Sequence, residues 1–149
     1  MKNKVINEFR MEVPSRSVNE SFVRTVVAAF TAQLDPTLEE INDIKTAVSE
    51  AVTNCIVHGY KEKMGKIYIS VTVYDNGLVR IKIRDKGCGI ENIKKAMEPL
   101  FTTSDGERAG LGFAVMESFT DKVRVRSKVG SGTTVTLDKI IEGRSQNNG

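Results

Sequence analysis

Hydrophobic and polar positions along this chain change period several times, and each change marks an element. Val5, Phe9, Met11 and Val13 fall on one side of an alternating segment and Glu8, Arg10 and Glu12 on the other, which predicts a strand ending at Pro14. Ser17 followed by Glu20 has the spacing of a capping box. Behind it Phe22, Val23, Val26, Val27, Phe30 and Leu34 recur at helical spacing, so a first helix is expected to end near Leu34. Asp35, Pro36 and Thr37 punctuate, and Thr37 with Glu40 repeats the capping pattern ahead of a long helix over residues 41–60. There Ile41, Ile44, Val48, Ala51, Val52 and Cys55 share one side, while Glu50 and Asn54 stack one turn apart on the other. Small Ala47 and Ala51 border this polar stripe and leave room beside it, although a solvated helix face would show the same stripe. Two helices after one strand, with no strand between them, argue against a regular βαβ repeat.

Beyond a polar loop at residues 61–66 the period drops to two. Ile67, Ile69, Val71 and Val73 alternate with Tyr68, Ser70, Thr72 and Tyr74; Asp75, Asn76 and Gly77 supply a turn; Val79, Ile81 and Ile83 alternate with Arg80, Lys82 and Arg84 on the return. This predicts a hairpin with one apolar and one basic side, as in an antiparallel sheet covered on one face. The return strand runs into Asp85, Lys86, Gly87, Cys88, Gly89, Ile90, where a carboxylate at a strand end can accept hydrogen bonds from a ligand and two glycines let the backbone approach it. Surface turns use the same residues for local reasons. A short helix is expected over residues 91–97. The stretch 98–109 has no periodicity and several breakers, the mark of a long functional or disordered loop.

Gly110, Leu111 and Gly112 then lead into an apolar helix with Phe113, Val115, Met116 and Phe119, so unobstructed N–H groups at a helix start offer a phosphate site. Glycines that merely pack a loop would look alike. Val123 and Val125 alternate with Arg124 and Arg126, and after Gly130, Ser131 and Gly132 a last strand sets Thr133, Val135 and Leu137 on one face. Thr133 thereby points a hydroxyl to the core side at the strand's start. Residues 142–149 are polar and are expected to form a disordered tail behind a single domain at 1–141.

Composition narrows the classes. The 149 residues suffice for one core without staples. With 22 Lys+Arg against 19 Asp+Glu the net charge is +3 and the basic residues are scattered, which gives no reason to expect direct nucleic-acid binding. Cys55 and Cys88 lack metal-ligand spacing and read as free thiols of a reducing cytoplasm. The start of the chain has no signal-peptide core and no run is long enough to span a membrane, so a cytoplasmic protein without membrane contact is expected.

Glu50-Ala51-Val52-Thr53-Asn54, Asp85-Lys86-Gly87-Cys88-Gly89 and Gly110-Leu111-Gly112 resemble, in order and spacing, the N-box and the two glycine boxes of the GHKL ATP-binding family, which includes gyrase, mismatch-repair proteins and histidine kinases. Each box is a weak signal singly; together, across nearly the whole chain, they are a strong one. The resemblance implies the family's fold, an α/β (α+β) two-layer sandwich with a mixed, largely antiparallel sheet and helices on one face. It implies ATP with Mg²⁺: Asn54 supplying a neutral oxygen to the metal, Asp85 accepting from the adenine amino group, Gly87 and Gly89 letting the backbone approach the nucleotide, Gly110 and Gly112 amides on phosphate oxygens, Thr133 reaching the ligand, and residues 98–109 as the ATP lid. Arg108 would neutralise charge developing on the γ-phosphoryl group, and Glu50, a turn from the metal ligand, would be the general base. His58 is read as a contact at the helix C-terminus rather than a catalytic group.

Histidine kinases need an upstream helical domain bearing a phosphoacceptor histidine, and gyrase-like members take a lysine from a following domain. Neither has room here, so a free-standing domain is expected. That points to the serine kinases that act as anti-sigma factors. The run AAFTAQLDPTLEEINDIKTAVSEAVTNCIVHGY at residues 28–60 and the FTT beginning at Phe101 resemble the sporulation members of that branch, which bind sigma F; the stress-response members acting on sigma B are similar but less so. The resemblance implies a homodimer built on the N-terminal strand and helix, inhibition of the sigma factor, phosphorylation of a serine on an anti-anti-sigma protein, and a partner contact at Arg24. A nucleotide-gated sigma-sequestering protein with little kinase activity is the alternative.

Overall fold

The computed structural model describes residues 3–61, 63–97 and 112–144. Strand β1 (Val5–Pro14) follows the alternation and is interrupted only by a register shift between Val5 and Asn7. Helix α1 (Val18–Thr31) continues as a 3₁₀ turn (Ala32–Leu34) that Asp35 closes in the left-handed conformation, φ 53°. The capping box expected at Ser17 does not form. Ser17 itself is helical (φ −59°, ψ −31°), whereas a capping residue needs extended backbone to turn its oxygen onto the first turn. Glu20 is used elsewhere: the Ser49 hydroxyl donates to it and Arg24 pairs with it at 3.5 Å.

The second box does form. Thr37 is extended (ψ 163°), its Oγ1 accepts from the Glu40 N–H at 3.0 Å, and Glu40 Oε1 accepts from the Thr37 N–H at 2.9 Å. Helix α2 (Leu38–Thr53) buries Ile44, Ala47, Val48, Ala51 and Val52 completely. It does not stay α-helical to residue 60. Asn54–Gly59 widen into a π turn in which the Tyr60 N–H reaches back to the Cys55 carbonyl at 2.9 Å. Such widenings re-aim side chains and cluster at functional positions.

β2 (Lys66–Tyr74) and β3 (Leu78–Asp85) form the expected hairpin, with Ile67, Ile69, Val71, Val73, Val79, Ile81 and Ile83 at most 1% exposed. Short α3 (Ile93–Ala96) is capped by the Asn92 side chain, and α4 (Phe113–Phe119) starts from Gly112. Phe113 and Met116 of α4 are buried, but Val115 and Phe119 are each 37% exposed. β4 (Lys122–Lys128) and β5 (Gly132–Ile140) complete a sheet of order β1-β2-β3-β5-β4, antiparallel in every described pair.

The helices cover one face of this sheet, and the apolar cluster lies between the layers. The other face carries Arg80, Lys82 and Arg84 with Tyr68 and Tyr74; the Arg80 guanidinium stands 5.5 Å over the Tyr74 ring. The start of the expected tail is placed: Glu142 and Gly143 N–H groups donate to the Glu40 carboxylate at 2.8 and 3.3 Å, and Arg144 pairs with Asp35 at 2.8 Å.

Candidate nucleotide site

The register puts Ile67, Asp85, Thr133 and Ser127 in one row across β2, β3, β5 and β4. Asp85, the last residue of β3, is 4% exposed. Its Oδ1 accepts from the Gly87 N–H at 2.9 Å and the Thr133 N–H at 3.3 Å. Burial raises the Asp85 carboxyl above the ordinary range, and the hydrogen bonds from Gly87 and Thr133 pull the other way. A carboxylate offers about four lone-pair sites, and both of these donors go to Oδ1, so acceptor capacity is left for a ligand. Glycines make this packing possible. A Cβ on Gly59 would lie 2.7 Å from Asp85 Oδ2, one on Gly87 would lie 2.1 Å from the Gly59 carbonyl oxygen, and the Cys88 N–H donates to that carbonyl at 2.9 Å. The π turn and the segment after β3 are thereby locked together.

Between them lies a cavity of about 230 Å³. Ala51, Ile83, Ile90, Phe113 and Val135 give it apolar walls; Asn54, His58, Asp85 and Thr133 give it polar groups. An apolar slot with a few convergent polar atoms is the usual form of a small-ligand site. A single buried carboxylate in its lining fits a flat heterocycle that presents an N–H donor. Among the described residues no group of three or more His, Cys, Asp or Glu is arranged to hold a metal ion. Any cation here would therefore rely on ligand oxygens besides the Asn54 amide, which is how Mg²⁺ is commonly held with phosphates.

Of the residues expected from the sequence, Asn54, Asp85, Gly89 and Thr133 meet at this cavity. The Thr133 hydroxyl lies 2.7 Å from Ser127 Oγ, which also accepts from the Ile90 N–H at 2.7 Å. Gly89, at φ 80°, packs on the Lys128 carbonyl. Glu50 does not line the cavity but faces the start of α4: a Cβ on Gly112 would fall 2.1 Å from Glu50 Oε1, and Gly112 has φ 73°. Burial raises the Glu50 carboxyl above the usual glutamate range. A partly buried carboxylate of that kind suits proton abstraction near neutral pH. Arg24 stands on α1, paired with Glu20, and is not part of this site. Arg108, Gly110 and the expected lid at 98–109 lie outside the described residues.

Three cavity residues had no role in the sequence reading: Gly59, Cys55 beyond its core position, and Lys61, held at φ 50°. The Cys88 thiol donates to the His58 carbonyl at 3.3 Å. The one available signal was Gly59 closing a helix of otherwise regular pattern.

Residues 13–139 match the model of the histidine kinase-like ATPase domain. The anti-sigma F factor of Caldanaerobacter subterraneus subsp. tengcongensis is 56% identical over 141 residues, 94% of this chain and 97% of that protein. The anti-sigma F factor of Priestia megaterium is 51% identical over 137 residues, 91% of this chain and 93% of that protein. Among solved structures, the RsbU and RsbW domains of a Mycobacterium tuberculosis protein superpose with a TM-score of 0.64 at 21% identity, over 91% of this chain and 32% of that one. The histidine kinase domain of an Erythrobacter litoralis blue-light activated histidine kinase gives 0.56 at 18% identity, over 91% and 64%. At these identities the structural likeness is one of fold.

Proposed function

Because the chain belongs to the histidine kinase-like ATPase domain family and, within it, to the anti-sigma F factors, we propose that it binds and inhibits sigma F and is an ATP-dependent serine kinase of an anti-anti-sigma protein. The observation that carries the nucleotide part is the buried Asp85 carboxylate on the wall of a largely apolar cavity, with acceptor capacity left for a purine amino group. The sigma-factor part rests on the relatives' names.

In this reading Asp85 accepts from the adenine amino group and Thr133 supports that end of the base. Gly87 and Gly89 keep the walls thin enough for the base to enter. Asn54, a turn beyond Glu50, offers its amide oxygen to Mg²⁺, whose charge would screen the phosphates when bound. Gly110 and Gly112 give N–H groups to phosphate oxygens, and Arg108 stabilises charge on the transferring group. Glu50 takes the proton from the partner's serine as its oxygen bonds to the γ-phosphorus; the bond from that phosphorus to the bridging oxygen breaks, and ADP leaves. Arg24, on the exposed side of α1, contacts a protein partner. Two copies pair through β1, an edge strand with exposed Val5 and Ile6, and through α1. The working unit is residues 1–141, in the cytoplasm.

The experiment mixes the purified chain with labelled ATP, Mg²⁺ and an anti-anti-sigma protein, and separately with sigma F. Label on a serine of the former and capture of the latter are expected. Capture with no label would leave a nucleotide-gated sequestering protein and remove the kinase assignment.

A further inference from the structure

The β2–β3 ladder stops where a side chain enters it. Ile67 faces Asp85 in the pair nearest the cavity, and one more step in the same register would set Lys66 opposite Lys86. The Gly65 carbonyl is turned to β1, where it accepts from the Ser15 N–H at 2.8 Å, so by alternation the Lys66 carbonyl is turned to β3. The Tyr60 hydroxyl lies between the two backbones there: it donates to the Lys66 carbonyl at 2.5 Å and accepts from the Lys86 N–H at 2.8 Å. One phenol oxygen thus satisfies the donor and the acceptor that direct pairing would have joined. The ring reaches this position because residue 65 is glycine; a Cβ there would lie 2.3 Å from Tyr60 Cε1. The Tyr60 N–H in turn holds the Cys55 carbonyl at 2.9 Å, so the π turn and the inserted hydroxyl are parts of one device.

Its consequence falls on Asp85. Lys86 leaves the sheet directly behind that residue, and the chain bends so that the Gly87 N–H returns to Asp85 Oδ1 at 2.9 Å and the Cys88 N–H reaches the Gly59 carbonyl at 2.9 Å. A Lys86 paired directly with Lys66 would continue the strand, and extended backbone does not let the N–H two residues on fold back onto an aspartate side chain. We propose that Tyr60 is a positioning residue for base recognition: its hydroxyl ends the β2–β3 ladder at Asp85, and the turn this permits holds the carboxylate in the cavity wall for the amino group at C6 of a purine. This deepens the proposed ATP site and rests on Asp85 being the acceptor of that amino group. Tyr60 does not line the cavity and acts through Asp85. Without the hydroxyl, the Lys86 N–H and the Lys66 carbonyl either stay apart unpaired or close on each other and draw the turn after them, and in both cases the carboxylate loses its setting. Selectivity for the amino group depends on that setting.

The test is calorimetry with Mg²⁺ on the full chain, comparing ATP with purine riboside triphosphate, which carries hydrogen at C6. Tyr60→Phe keeps the ring and removes the hydroxyl. Gly65→Ala pushes the ring aside and leaves every group of the cavity unchanged, and it carries the test alone should Tyr60→Phe not fold. Wild type is expected to prefer ATP on the order of tenfold or more. Each variant should cut that preference about fivefold, mainly by weakening ATP. Each ratio is taken on one folded protein, so a stability loss common to both nucleotides cancels. An unchanged ATP preference in Tyr60→Phe, or an equal loss for both nucleotides, would overturn the positioning role and leave Asp85 as the amino acceptor. A wild type with no preference would overturn the Asp85 reading, and the Tyr60 role with it.

Discussion

Gly59 stands so close to Asp85 that a methyl group on its α-carbon would lie 2.7 Å from Oδ2 and 2.8 Å from Cγ. The carboxylate has little freedom to yield, because the Gly87 and Thr133 N–H groups both bond to it and it is 4% exposed. Gly59→Ala gains about 1 kcal/mol of helix propensity, against an overpacking cost of roughly 1–3 kcal/mol. The overpacking wins, and it falls on the base-recognising group. The expected result is a folded protein, slightly less stable than wild type, whose ATP affinity drops on the order of tenfold or more. Calorimetry beside a thermal melt checks this; wild-type ATP affinity in the variant would show that the contact does not set the carboxylate.

Glu50→Gln separates proton transfer from binding. The carboxylate form is the base, so transfer is lost as pH falls through the Glu50 pKa. Burial raises that pKa, so the acid limb of kcat is expected above the ordinary value of 4.5. Gln has no such limb, and kcat should fall by at least about a hundredfold, within the usual range for a positioned base, while ATP binding and sigma capture persist. Stability runs the other way. A raised carboxylate pKa makes the ionised form costly in the folded state, a cost present above the folded pKa and relieved as pH falls through it towards 4.5. Glu50→Gln is thus neutral or stabilising at pH 7. Near wild-type phosphorylation by the variant would exclude Glu50 as the base.

The asymmetry in what could be read from the chain follows from range. The hairpin over Lys66–Tyr74 and Leu78–Asp85 and the Thr37–Glu40 box were legible because each is decided by residues within a few positions of one another. The boxes around Asn54, Asp85 and Gly112 were legible as a spaced set, although only the register of β3 with β5 brings Asp85 beside Thr133. Ser17 shows the limit of a local signal: side chains with capping spacing did not cap, because the backbone angle decides. The π turn was not legible, since its apolar pattern up to Cys55 is that of an ordinary α-helix and the widening shows only in the Tyr60–Cys55 bond. The contacts of Gly59 with Asp85, and of Glu142 with Glu40 across 102 positions, have no periodic signature at all.

Glu40 joins the start of α2 to the end of β5's extension. Burial by itself would raise its carboxyl, but the N–H groups of Thr37, Glu142 and Gly143, with the Thr37 side chain, outweigh it and hold the group below the ordinary 4.5. For a lowered carboxylate pKa the stabilisation is complete above the unfolded value near 4.5 and is lost as pH falls through the lower folded value. Glu40→Gln should cost about 1–2 kcal/mol at pH 7, the scale of a lost cap and weakened charged hydrogen bonds, with the gap to wild type closing below pH 4.5. Urea titrations at both pH values test it; a gap that does not shrink in acid would mean that the ionised form carries no advantage.

Asp138 is the corresponding tie on the open face of the sheet. It is 7% exposed and bonds Arg80 of β3 twice, at 2.8 and 3.1 Å, and Arg124 of β4 once, at 3.2 Å. One carboxylate thus holds three adjacent strands. Removing it leaves two guanidinium groups that must find water, which their side-chain exposures of 30% and 42% allow. The cost of Asp138→Ala is therefore expected at about 1–3 kcal/mol, below that of breaking a fully buried pair. Arg80→Ala should cost more than Arg124→Ala, because its contact is bidentate and less exposed and its guanidinium also covers Tyr74. ATP affinity should stay within about twofold of wild type in all three variants, since none of these residues lines the cavity. Chemical denaturation gives the order of the costs, and an Arg124 variant as unstable as the Arg80 one would place the tie between β5 and β4 instead.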